Sequence, residues 1–129
     1  MIFRVRFIHL FVLSVLSTSA LAAPIPKEAQ SLILKVHVAA SKKDTETLKK
    51  LMVTEFIWGF GGDGDAEQAI QAWKADTSLF KKLYHVTGRD CFEKPDHSIE
   101  CPKNAGTSYR AGFKKTTKGW RMFYFVGGD

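Results

Sequence analysis

Asp63, His85 and Tyr109 are the side chains in this sequence best suited to proton chemistry. A carboxylate or imidazole can take a proton from carbon beside a carbonyl, and a phenol can donate to the oxyanion that develops, if all three reach one substrate. No local motif ties them together. Arg110 and Arg121 offer rigid guanidinium forks to an anionic group, provided they fall side by side on paired strands. Trp58 and Tyr124 add aromatic contact area for a ligand or partner. His37 and His97 are further imidazoles, but neither has a recognisable partner acid or second ligand nearby, and both read as structural or exposed.

Other motifs dissolve on inspection. Gly59, Gly61, Gly62 and Gly64 suggest a phosphate loop, yet the string lacks the strand and long helix of a dinucleotide fingerprint and the GK[ST] ending of an NTPase loop. Asp63 and Asp65 suggest calcium, but the twelve-residue ligand pattern with its terminal Glu is missing. There is no GxSxG elbow. The residues call for no cofactor and no metal.

The first 22 residues read as a leader. Arg4 and Arg6 precede an apolar run over residues 7–16, and Ala20 and Ala22 have the spacing a signal peptidase reads. The run falls short of the roughly 20 residues needed to span a bilayer, so cleavage after Ala22 leaves residues 23–129 as one domain, with no membrane insertion. Losing the two arginines lowers the net charge from +6 to +4. The remaining lysines are dispersed among acids and read mainly as a solubilising surface; no nucleic-acid motif accompanies them. Export, to the periplasm or the medium, would make Cys91 and Cys101 pair as a structural disulfide. Closing so short a loop contributes about 3 kcal/mol.

Several elements must position these groups. Over residues 29–41 Leu32, Ile33, Val36, Ala39 and Ala40 recur at helical spacing. Asp44 can cap a second, short helix that turns Leu48, Leu51 and Met52 inward. Residues 56–60 are densely apolar and read as a strand or a core-lining loop. Asp65 caps a helix over residues 66–74, with Gln68 completing a capping box. Residues 76–83 predict a brief helix or turn, residues 84–90 the entry to a strand, and the cysteines a hairpin. The strongest signal is the last: YRAGFKK and WRMFYFV flank a turn at Thr116, Thr117, Lys118 and Gly119, predicting a terminal antiparallel hairpin. Its second strand is apolar on much of both faces, fitting a curved sheet with helices on one side. The Gly127, Gly128, Asp129 tail reads as a free end.

The apolar helix at residues 32–40, the Asp-capped helix at 44–51, the aromatic segment at 56–60 and the GFKKTTKGWRMFYFV ending resemble a small exported member of the NTF2-like, or SnoaL-like, superfamily. That resemblance implies an α+β fold in which N-terminal helices pack on a curved, mainly antiparallel C-terminal sheet shaped as a cone. It also implies dimerisation and small hydrophobic ligands. The function these readings favour is a non-enzymatic exported domain that binds a protein partner or small hydrophobic ligand, of inhibitor or immunity type. The alternative is a small pocket enzyme of isomerase or lyase type using Asp63, His85 and Tyr109.

Overall fold

A computed structural model describes residues 24–59 and 64–128. The leader, the Phe60 to Asp63 stretch and Asp129 lie outside the described residues, so neither the cleavage site nor the Asp63 assignment is placed by it.

Helix α1 (Lys27–Ser41) buries Ala29, Leu32, Ile33, Val36, Ala39 and Ala40, the stripe that its spacing predicts. Asp44 then starts α2 (Thr45–Lys50) by accepting the Thr47 backbone N–H at 3.1 Å. The next element departs from expectation. Strand β1 (Met52–Ile57) begins directly after α2, and Met52 and Phe56 share its buried face. Asp65 caps α3 (Ala66–Ala75), accepting from the Gln68 N–H at 3.0 Å. Gly64 just before it has a packing role, because a Cβ there would lie 2.4 Å from the Phe56 carbonyl oxygen.

Helix α4 (Ser78–Thr87) continues through the residues expected to enter a strand. Phe80, Leu83, Val86 and Thr87 recur at three and four positions and are buried, so the helical period runs on to Gly88. Short strands β2 (Phe92–Glu93) and β3 (Ile99–Cys101) make the cysteine hairpin, and the Cys91–Cys101 disulfide closes it with Cα atoms 4.3 Å apart. The terminal hairpin is β4 (Arg110–Thr116) and β5 (Gly119–Val126), with Thr116 opposite Gly119. Gly119 sits at φ +98, a conformation that glycine adopts without steric cost.

The sheet runs β1-β5-β4-β3-β2 and is mixed: β1 is parallel to β5 and the other pairings are antiparallel. The expected cone is not formed. The sheet is open, with β1 and β2 as separate edges, and β2 and β3 are two and three residues long. Strands so short cannot carry the sheet round the helices. The α+β class remains.

A bulge interrupts the final hairpin, where Gly112 faces Tyr124 but Phe113 faces Met122. The extra residue, Phe123, breaks the simple alternation read from WRMFYFV and lets both Met122 and Phe125 bury against the helices. Above that face Trp73 of α3 meets Phe56, Phe80 and Phe125 edge-on, at centroid distances of 5.7, 6.2 and 5.7 Å. This buried aromatic cluster is the centre of the core.

Candidate functional site

Two of the three proton-chemistry candidates converge. His85 and Tyr109 line one open groove of about 520 Å³ between α4 and the segment that leads into β4. Because α4 is a full helix, Lys81, Lys82, His85 and the Arg89 that follows it recur at three and four positions and form one wall. Pro102, Ser108 and Tyr109 form the other. The lining has four basic side chains and no carboxylate among the described residues.

Tyr109 is held from three sides. Its ring tilts against Phe125 at 5.1 Å, which joins the groove to the buried aromatic cluster. The Lys82 ammonium lies 4.7 Å from the ring centroid, a cation–π arrangement. Gly127 packs beneath it, since a Cβ there would sit 2.6 Å from the ring. The tail is therefore tied down at its start, where the Gly128 N–H also donates to the Thr107 carbonyl at 3.0 Å. His85 is exposed, and no hydrogen-bond partner for it is found among the described residues.

Arg110 and Arg121 do not meet. Arg110 pairs with Val126 and Arg121 with Lys114, near opposite ends of the hairpin. Each guanidinium is used locally, Arg110 donating to the Gly106 carbonyl at 3.1 Å and Arg121 to the Trp120 carbonyl at 2.7 Å. The condition for a shared anion site is absent. Tyr124 lies on the sheet face away from the helices, with its hydroxyl donating to Glu100 Oε1 at 2.5 Å. Burial, then the Glu100 hydrogen bond and charge, raise its pKa well above the ordinary phenol value. Trp58 is 39% exposed just past β1 and does not line the groove.

His37 is engaged by α4: it stacks on Tyr84 at 4.2 Å and its Nδ1 lies 3.0 Å from the Thr87 hydroxyl. His97, at φ +68 in the cysteine hairpin, has Nδ1 2.9 Å from Glu93 Oε1. Among the described residues no three His, Cys, Asp or Glu side chains gather to hold a metal ion, and no described helix is long and apolar enough to cross a membrane.

The groove cations Lys81, Lys82 and Arg89 were missed as a set. The signal was present in their spacing with His85, but it becomes readable only once α4 is extended beyond Leu83.

No protein-family model matches the chain, and no curated protein matches it. Among solved structures it shows a weak resemblance to an NTF2-like protein with a cystatin-like fold from Novosphingobium aromaticivorans, 19% identical over 77% of each chain, with a TM-score of 0.43.

Proposed function

We propose that this chain is a non-enzymatic exported binding domain, of inhibitor or immunity type, whose α4 groove receives an anionic group carried beside an apolar one. The observation that carries this reading is the lining: Lys81, Lys82, His85 and Arg89 face Tyr109, whose ring continues into the aromatic core. Cations positioned around an apolar floor attract an anion and orient it, while the floor takes the attached hydrophobic body. The volume is within the usual range for small-ligand sites of roughly 300–1,000 Å³.

The disulfide supports export, because such bonds persist in oxidising compartments. Sequencing the amino terminus of the protein recovered outside the cytoplasm should begin at Ala23; a start at Met1 would remove the leader from the reading.

Amide chemical shifts followed during titration with 3-phenylpropionate test the groove, with 3-phenylpropanol as the neutral control. The acid should move the signals of His85, Arg89, Ser108 and Tyr109, and Arg89→Glu should weaken it about tenfold. Equal binding of the alcohol, or shifts scattered away from the groove, would exclude it.

A catalytic reading is favoured by one observation, the shared groove of His85 and Tyr109. There an imidazole would take the proton and a phenol would steady the oxyanion. It requires deuterium exchange into phenylacetone in D2O that His85→Gln and Tyr109→Phe each abolish; exchange at the buffer rate with the parent protein removes this reading.

A further inference from the structure

On the other side of Tyr84 is a second surface. In α1 the outward-facing positions Leu34 and Val38 are 61% and 41% exposed, and Tyr84 of α4 is 44% exposed where it stacks on His37. Leu34 and Tyr84 each line a hollow of the α1–α4 seam, and Val38, one turn along α1 from Leu34, extends the apolar area on the outer side of that helix. Hollows lie on either side of the stack. One is lined by Leu34, His37, Thr87, Gly88 and Arg89, the other by Ser41, Lys43, Ser78, Lys81 and Tyr84. Helical spacing puts Lys35 and Lys42 along the flank of α1 away from α4, while Lys81 and Arg89 stand on the α4 side. Asp90 is the single carboxylate lining either hollow among the described residues; on the α1 flank Asp44 lies near Lys42, and Glu28 is two turns before Lys35.

From this pattern we infer that the α1–α4 seam docks an amphipathic helix of a partner protein, with its apolar stripe on Leu34, Val38 and Tyr84 and acidic residues on both flanks. An apolar row between two rows of cations is the complement of a helix with glutamates beside its hydrophobic stripe. Shape distinguishes this partner from an anionic lipid surface. A cylinder can settle along a trough, whereas a flat bilayer would leave the hollows beside Tyr84 empty. The inference goes beyond the groove: the two surfaces share Lys81, Tyr84 and Arg89 along α4, but Leu34 and Val38 belong to this one alone.

The test uses the purified, oxidised protein and a synthetic helix of roughly 18 residues, long enough to cover both hollows at 1.5 Å per residue. Leucines are spaced i, i+3, i+4 and i+7 with glutamates on both flanks. Backbone shifts should move along residues 34–42 and 81–89. Leu34→Glu with Val38→Glu should weaken binding at least about tenfold, and Lys35→Glu with Lys42→Glu should both weaken it and flatten its salt dependence. His85→Ala and Tyr109→Phe, which affect the neighbouring groove, should leave it within about twofold. Failure of the acidic helix to shift the seam, equal binding by a version with lysines for glutamates, or capture by phosphatidylglycerol vesicles through the same residues would each overturn the proposal. If only the groove variants lose the peptide, this surface is wrong while the groove reading stands; if only 3-phenylpropionate fails, the reverse holds.

Discussion

Tyr124 reaches across Gly112 and donates its hydroxyl proton to Glu100 Oε1 at 2.5 Å, so β5 is joined to β3 over the strand between them. The crossing is open only because Gly112 has no side chain: a Cβ there would lie 2.0 Å from the Tyr124 ring. Gly112→Ala should therefore expel the ring and destabilise the domain by about 1–3 kcal/mol, measured by urea denaturation. An unchanged midpoint would mean the ring has a second resting place.

The same hydroxyl sets an alkaline limit. A phenol whose folded pKa lies above its unfolded value of about 10 keeps its proton in the fold after the unfolded chain has lost it. The contribution of Tyr124 is fully present below about pH 10 and declines as pH rises through the raised folded value. An ultraviolet titration should show a late tyrosine ionisation, and Tyr124→Phe should remove that late step. Absence of any late step would contradict the half-buried bond to Glu100.

The Cys91–Cys101 bond closes a sequence separation of ten residues. Reduction, or Cys91→Ala with Cys101→Ala, should cost about 3 kcal/mol through the freedom returned to the unfolded chain. Thermal denaturation with and without dithiothreitol measures this. Intact mass of the untreated protein should show no alkylatable thiol, and two free thiols would contradict the bond.

His37 should be protonated on Nδ1. The Thr87 hydroxyl has one proton, and the Leu83 carbonyl 2.7 Å away receives it. Thr87 can then only accept from His37 Nδ1, at 3.0 Å. Long-range 1H–15N spectra of the imidazole should show that tautomer when the ring is neutral. Thr87→Val should cost about 1 kcal/mol and release the preference; the Nε2-protonated form in the parent protein would reverse the assignment.

Acid should loosen one helix cap and two turns. Side-chain hydrogen bonds from Thr47, Ser78 and Ser98 respectively hold the carboxyls of Asp44, Asp76 and Asp96 below the usual aspartate range. Groups depressed in this way stabilise the fold above their unfolded pKa of about 3.9, and that stability is lost as pH falls through the lower folded values. Urea midpoints should drop between pH 6 and pH 2. The drop should be shallower when all three are replaced by asparagine, whose side-chain oxygen still accepts these bonds but does not titrate; parallel curves would assign the acid sensitivity elsewhere.

What could be read from the linear chain was local. Asp44 and Asp65 sit one residue before their helices, Cys91 and Cys101 bracket a short turn, and Thr116 to Gly119 closes neighbouring strands. Each depends on residues a few positions apart. Long-range pairings were not legible. Met52 to Ile57 has the right residue types for a strand, but its parallel partner β5 lies at the far end of the chain. Nor does a sequence show that Phe123 is an extra residue, because a bulge is defined by the facing strand. The error over α4 had a different source. Tyr84 and His85 fit a strand as well as a helix, and the placement of Phe80, Leu83 and Val86 on one buried face decided it. That decision also governed the candidate site, for a strand would have sent Lys82 and His85 elsewhere.

The parallel union of β1 with β5 has a consequence for how the chain is made. As residues emerge from a ribosome, Met52 is available long before Met122, its partner across the sheet. Until β5 appears, β1 has no neighbour with which to bond, and the segment before it can form helices but not its share of the sheet. Closing that distant pairing is an entropically slow event, so the sheet is not complete until β5 has been made. A fragment that stops before β5 would also leave β4 as a bare edge, which makes it aggregation-prone.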